Sequence, residues 1–392
     1  MSRMNRVLLT AGALLMLVSS ASMAFDAYPD PVRVQTLSGG DGFNNNFILD
    51  SNDAYSWFGR IYRNADHVRA SWTPYNDGGQ AQGLGFIKSE EGYGAYMLHL
   101  QQGEYYSSEE FSGEYNHFTL GYGYPFGNFD LGLVYNRQGL SANLEDVPVG
   151  ARAEASESWN AFGLGITYDM DDETAIDGSL MYVKGTEDDG VDEDPEDDFE
   201  SSGFGVGLRA FKAMREDLTI IPVFMFSTYT DTYGDTDEED KYTAFAGGLG
   251  FDYTINEDND LYLFASFQQD KEEYTDEVGD GTETDTYTDT AMPGIGIAVE
   301  HELTDMFTMR MGASKNWMKH EREIQSGDET TTDEYKDYPW EFSFGMGIAM
   351  GDWVIDLALN QQWLYNAGYW FHGSQPYFSE PPIAQIEAKL WF

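Results

Sequence analysis

The chain is 392 residues long, sets 69 acidic against 21 basic side chains for a net charge of −48, contains no cysteine and has a mean hydropathy of −0.47. Phosphate backbones repel so acidic a chain, which excludes nucleic-acid binding, and the missing thiols exclude disulfides and a cysteine-linked lipid anchor. Forty-two glycines and 15% aromatic residues sit badly in a soluble core and suit strands that show lipid on one face and water on the other.

The first 24 residues have the three parts of a secretory signal peptide: the basic "MSRMNR", the 12-residue apolar "VLLTAGALLMLV", and "SSASMA" ahead of Phe25, which places cleavage after Ala24. The apolar run is short of the ~20 residues that a spanning helix needs. Residues 25–66 do not alternate, yet Phe47, Ile48, Leu49, Trp57, Phe58 and Tyr62 make the segment too apolar for a free tail.

From residue 67 onward the chain alternates with period two. The strands predicted are 67–75, 80–88, 93–101, 116–125, 128–138, 158–168, 174–186, 201–212, 217–229, 241–255, 260–270, 290–303, 306–318, 339–350, 353–364 and 383–392. That makes about 16, in a range of 14–18. In "FTLGYGY", Phe118, Leu120, Tyr122 and Tyr124 share one face and Thr119, Gly121 and Gly123 the other; "AFGLGITY" and "FSFGMGIAM" repeat the pattern. Short turn signals recur near 127, 171, 215, 258, 305 and 352, at intervals of 43 to 47 residues. A propeller blade would need four short strands per interval; here each holds two long ones, joined alternately by a short turn and a long loop. With the N-terminus in the periplasm, every one of those turns is periplasmic. The loops at 102–115, 139–157, 187–200, 230–240, 271–289, 319–338 and 365–382 are then exterior. Trp159, Trp317, Trp340 and Trp363 are predicted at exterior strand ends, and Tyr124, Tyr168, Trp353 and Trp391 at periplasmic ends, as two interfacial girdles.

The chain closes on "IEAKLWF", whose alternating face runs to the terminal Phe392. A signal peptide, a last alternating strand and a terminal Phe together resemble Gram-negative outer-membrane β-barrel proteins of the porin-like kind. The resemblance implies an all-β fold: a transmembrane antiparallel up-and-down β-barrel over 67–392, with short periplasmic turns and long acidic exterior loops. It also implies outer-membrane lipid, lipopolysaccharide and the barrel-assembly machinery as partners, with Leu390, Trp391 and Phe392 as the assembly signal. On that orientation residues 25–66 form a periplasmic or lumenal segment. Its "LDSNDAYSWFGRIY" resembles the N-terminal region of fatty-acid-transporter-like barrels, which implies a plug, with Phe47, Trp57, Phe58 and Tyr62 as its candidate residues. The bland reading is a lead-in that pairs with the first strand.

By parity the lumen is lined by Asp130, Asp177, Arg209, Asp252, Arg310, Asn316, Asp356, Glu387 and Lys389, among many glycines. Charges of both signs suit a hydrated wall. The function expected is passive diffusion of small hydrophilic solutes. Alternatives are transport of a hydrophobic compound past a plug, or a structural or adhesive barrel. Catalysis is not expected: His67, His99, His117, His301, His320 and His372 stand in no catalytic motif with Ser or Asp, although His99 and His117 share the lumenal face. No cofactor is expected and no metal site, since "DGVDEDPEDD", "GDTDEED" and "DEVGDGTETDTYTD" lack the full calcium-loop spacing. Residues 187–200, 230–240, 270–289 and 320–337 together hold 32 acids and 3 bases. That predicts cation preference at the mouth. Monomer and trimer both remain open.

Overall fold

The computed structural model describes residues 32–38, 42–74, 80–108, 111–144, 154–188, 199–233, 239–278, 281–326, 329–359 and 383–392. The expected signal peptide, Trp363, His372 and most of the loops at 187–200 and 365–382 lie outside them.

One antiparallel sheet accounts for the wall. Its strands are β1 His67–Pro74, β2 Gln80–Glu90, β3 Gly94–Ser108, β4 Phe111–Phe126, β5 Phe129–Leu144, β6 Glu154–Asp171, β7 Thr174–Asp188 and β8 Phe199–Arg215. Then follow β9 Leu218–Tyr233, β10 Glu239–Asn256, β11 Asn259–Val278, β12 Gly281–Thr304, β13 Phe307–Ser326, β14 Glu329–Asp337, β15 Trp340–Met350, β16 Trp353–Leu359 and β17 Ile383–Trp391. Apart from β14 and β15, which do not pair with each other, consecutive strands pair along the chain, and β1 pairs with β17 through His67↔Trp391 to Trp72↔Ile386. No edge is left in a bilayer with nothing to satisfy its backbone. β14 and β15 both pair with β13, on its outer and inner lengths. They are two parts of one stave, interrupted at Tyr338 and Pro339, so the barrel has sixteen staves. It is a transmembrane β-barrel, as the alternation predicts.

Two-residue turns occupy 127–128, 172–173, 216–217, 257–258, 305–306 and 351–352, where the turn signals stand. Leu84, Leu100, Leu120, Leu133, Phe162, Leu164, Leu208 and Ile297 are exposed on the outside, while their neighbours Gly83, His99, Thr119, Val134, Gly163 and Arg209 face inward.

The long loops are where the sequence reading needs correction. Residues 271–289 and 319–338, expected as solvated loops, are mostly strand: β11, β12, β13 and β14 carry the ladder past the apolar band into a projecting sheet. Threonines and tyrosines favour the extended backbone there. Charge pairs across the strands offset the repulsion that argued for loops: Arg322 donates to Asp285 and Lys319 pairs with Glu334 at 3.4 Å.

Two girdle residues also differ. Trp391 packs at a tilt against the buried His67 with ring centroids 4.9 Å apart, so it faces inward. Trp159 lies on the inward face beside Gly185 and donates to Glu157. Neither meets lipid. Trp340 and Trp353 do face outward.

Inside the wall lies the N-terminal segment. It comprises a short helix α1, Val32–Ser38, and three 3-10 turns at Gly42–Phe47, Ser51–Tyr55 and Phe58–Arg60. It leaves the lumen at Asp66, the one described non-glycine residue with a positive φ (68°).

Candidate functional site

The inner segment touches the wall in two apolar clusters. One groups Tyr55, Phe58 and Ile61 with Ile87, Met97, Val134 and Met181 of the wall. The other groups Val34, Leu37, Phe47, Ile48 and Trp57 with Ile221, Val223, Tyr262 and Phe264. Phe47 stacks on Phe264 at 5.5 Å. The inward glycines explain how the backbone comes so close. A Cβ at Gly132 would overlap the Phe58 carbonyl, and one at Gly165 would overlap the Gly59 nitrogen and lie 2.7 Å from Phe58 Cβ. One at Gly59 would in turn overlap the backbone of Ile166. Only residues without a side chain permit that approach.

Ion pairs join the same surfaces. Asp177 on β7 accepts from Arg60 Nε at 2.7 Å, from Arg209 Nη2 at 2.9 Å and from Thr167 Oγ1 at 2.8 Å. Arg209 on β8 also donates to Asp53 Oδ2 at 2.8 Å and to the Asn46 carbonyl at 3.2 Å. Its guanidinium lies 4.5 Å from the Trp57 ring and 4.7 Å from that of Phe211. Asp177 and Arg209 are fully buried, so the charges are compensated by one another, by hydrogen bonds and by ring faces. Burial pushes the Asp53 carboxyl above the ordinary aspartate range, against the pull of Arg209 and Arg60. Burial likewise pushes the Tyr55 hydroxyl up to about 12.

A second network crosses the other side of the lumen. Arg33 grips both Glu300 oxygens at 2.9 Å and donates to the Leu49 carbonyl at 3.0 Å. Glu300 also accepts from Arg310, which pairs with Asp356. Lys389 lies 3.0 Å from Glu387 and 3.4 Å from Asp50, and Arg69 is 3.4 Å from Glu387. Near the periplasmic turns, Arg63 bridges Asp130 and Asp169.

All nine residues expected to line a pore face inward. Asp130, Asp177, Arg209 and Lys389 bond directly to the inner segment; Arg310 reaches it through Glu300, Glu387 through Lys389, and Asp356 through Arg310 and Glu300 in turn. Asp252 lies within electrostatic reach of Arg33, and Asn316 sits higher on β13 beside Gly294. At the level of the inner segment the wall charges meet protein where the sequence reading expects water. Of the four candidate plug residues, Phe47, Trp57 and Phe58 are buried inside the barrel and Tyr62 packs beside them. The reading by parity missed Arg33, Asp50, Asp53, Arg60 and Arg63, because the segment has no period to assign sides. Its only signal was acids and bases interleaved with aromatics in "LDSNDAYSWFGRIYR". Glu300 was missed as well.

His99 and His117 are inward and buried at mid-strand, with ring centroids 6.0 Å apart, and His117 shares a hydrogen bond with Thr119. At the C-terminus, Phe392 stacks on Phe86 at 6.0 Å, lies under Lys88, and donates its backbone N–H to Asp66. Leu390 faces outward beside Val68.

No protein-family model matches the chain, and no curated protein matches it in sequence. Among solved structures it is similar to the ferric-catecholate import receptor Fiu from E. coli K12, at 9% identity and a TM-score of 0.41, covering 84% of this chain and 82% of that one. It is similar too to the siderophore receptor PirA from Acinetobacter baumannii (8% identity, TM-score 0.41, covering 75% of this chain and 62% of that one). CdiB from Acinetobacter baumannii gives 8% identity and a TM-score of 0.45, covering 83% and 60%. At such scores the likeness stops at barrel architecture and says nothing of what this chain carries.

Proposed function

We propose that the protein is an outer-membrane transporter closed by its own N-terminus, with residues 32–64 acting as a plug that must shift before solute passes. The observation that carries this reading is the buried cluster of Arg60, Asp177, Arg209 and Asp53 between segment and wall. Filler alone would be served as well by apolar side chains, since a buried ion pair adds little stability over an apolar replacement of equal volume. Charge pairs do something filler does not: they set one docked position and leave a polar wall behind when they part. The open, passive pore expected from the strand pattern therefore gives way to a gated one.

The wall behind the plug carries Asp177, Arg209, Asp356, Arg310, Glu387 and Lys389, so the solute favoured is small and hydrophilic. A hydrophobic cargo would want a cavity beside Trp57 and Phe58, and both are packed against the wall instead. The exterior acids favour cations once the lumen opens, within a reach of about 8–10 Å. The C-terminal Leu390, Trp391 and Phe392 serve assembly in this reading, and Phe392→Asp lowers the amount of folded barrel in the membrane.

Planar-bilayer recording tests the gate. The full chain is expected to be nearly silent. A variant lacking residues 32–64, shown to be inserted by its heat-modifiable mobility, is expected to open in steps. Its reversal potential across a KCl gradient is expected to favour cations in low salt and to lose that preference as salt rises. Equal conductance from both proteins removes the plug; silence from the inserted deletion variant removes the channel.

A further inference from the structure

In so acidic a chain the bases should all find acids, and nearly all do. Among the described residues every lysine and arginine but two has a carboxylate within ion-pair distance. The exceptions are Arg137 and Lys315. Both face outward, on the side of the wall that carries Leu131, Leu133 and Met311. Arg137 is the ninth residue of β5 and Lys315 the ninth of β13, strands on opposite sides of the barrel. Eight steps of about 3.4 Å at a tilt of about 40° put both roughly 20 Å above the strand starts. That is close to the top of an apolar band about 25 Å tall.

The surroundings of Arg137 are shaped. It pairs across the sheet with Phe118, which pairs with Leu100, which pairs with Leu84, all outward. The next outward row is Gly139, Asn116, Gln102 and Gln82. The apolar row and the amide row bound a groove of about 670 Å³, and Arg137 stands at its end. Lys315 lies 4.5 Å from the Trp340 ring and 5.2 Å from that of Trp317, and donates to the Tyr338 carbonyl at 3.2 Å.

A groove with a hydrocarbon floor, amides along its upper rim and one guanidinium is complementary to an amphiphile with an anionic head. The guanidinium fork matches phosphate oxygens. We propose that the groove beside Arg137 binds a phosphorylated outer-leaflet lipid, its acyl chain along Leu84, Leu100 and Phe118 and its head against Arg137, Gln102 and Asn116. Lys315 makes the corresponding phosphate contact on the opposite wall. This rests on the membrane placement in the function proposed above. It accounts for two cations on the lipid face that, among the described residues, have no carboxylate partner in a chain of net charge −48.

The test uses the full-length barrel, first checked for insertion into vesicles by heat-modifiable mobility. It is then mixed in detergent with a bisphosphorylated glycolipid, and retained lipid is counted by native mass spectrometry. The same lipid stripped of its phosphates and inorganic phosphate alone serve as the other probes. Wild type is expected to retain the phosphorylated lipid about fivefold better than Arg137→Gln or Lys315→Gln, the size of one cation at a lipid surface. It is expected to hold the stripped lipid no better than the variants do. Lys184→Gln, which removes an outward base already paired with Glu200, should leave retention unchanged. Millimolar inorganic phosphate should not displace the lipid; displacement would mean a free-anion site and overturn the lipid assignment. An inserted Arg137→Gln barrel that retains as much lipid as wild type overturns the inference and leaves the membrane reading standing. A wild-type barrel that enters no vesicle overturns both.

Discussion

The lumenal network around Arg209 and the projecting sheet around Arg322 use the same pair of residue types in opposite surroundings. Arg209 and Asp177 are fully buried, stacked by rings and bonded to two separate parts of the chain. Arg322 grips Asp285 with both nitrogens in reach and lies 5.1 Å from the Tyr287 ring, but it is half in water. A desolvated pair is costly to break singly, because the surviving charge has nowhere to go. In water the survivor is simply hydrated. One arrangement therefore fixes a position, and the other keeps a highly charged hairpin compatible with strand pairing.

The contrast is broken most sharply at its buried end. Asp177→Ala, which leaves Arg209 and Arg60 short of a counter-charge, is expected to loosen the docked segment by about 3–5 kcal/mol. Trypsin should then cut after Arg60 or Arg63 at urea concentrations where the wild-type segment is protected. Asp177→Ala combined with Arg209→Leu should cost less than the sum of the single changes; strict additivity would mean that the two do not act as a unit.

Slightly smaller is the effect of filling the seat. Gly165→Leu places a side chain where Phe58 and the Gly59 backbone now lie. It is expected to cost about 3 kcal/mol of docking, near the top of the usual overpacking range. Because Leu suits a strand, heat-modifiable mobility should persist while the segment becomes cleavable. Loss of the barrel itself would show that the wall needs the segment in order to fold.

At the exposed end, Arg322→Ala is expected to change stability by about 0.5 kcal/mol, and less in high salt. A change of several kcal/mol in denaturant unfolding would erase the distinction between the two regions.

The smallest effect concerns His320. Its ring stacks on Tyr335 at 4.2 Å and bonds Asp289 at 2.7 Å and Asp337 at 3.3 Å, joining β12, β13 and β14. Partial burial works against its charge, but the two aspartates outweigh it and raise its pKa above 6.5. A raised histidine stabilises the fold when protonated. Its contribution is thus complete below about pH 6.5 and is lost as pH rises through the folded value. Hydrogen exchange in β14 should quicken across that window in wild type and show no such step in His320→Asn.

What was legible in the sequence follows from periodicity. Alternation assigns every wall residue a side, so Leu120 out and Thr119 in, Leu208 out and Arg209 in, follow from the sequence alone. The two-residue turns followed from Gly, Asn and Asp at regular intervals, and closure through 383–392 followed from an apolar face that needed covering. The barrel and the lumenal side of Asp177, Arg310 and Lys389 were therefore determined by the sequence itself. Three things were decided only by tertiary structure. Residues 32–64 have no period, so nothing local says that Arg60 finds Asp177 from 117 positions away. The inward glycines predicted space, but whether water or Phe58 fills it depends on where a separate segment docks. The acidic stretches at 271–289 and 319–338 looked like loops because like charge disfavours pairing. They became strands because register set Arg322 opposite Tyr287 and within diagonal reach of Asp285, a compensation that exists only once the neighbouring strand is in place.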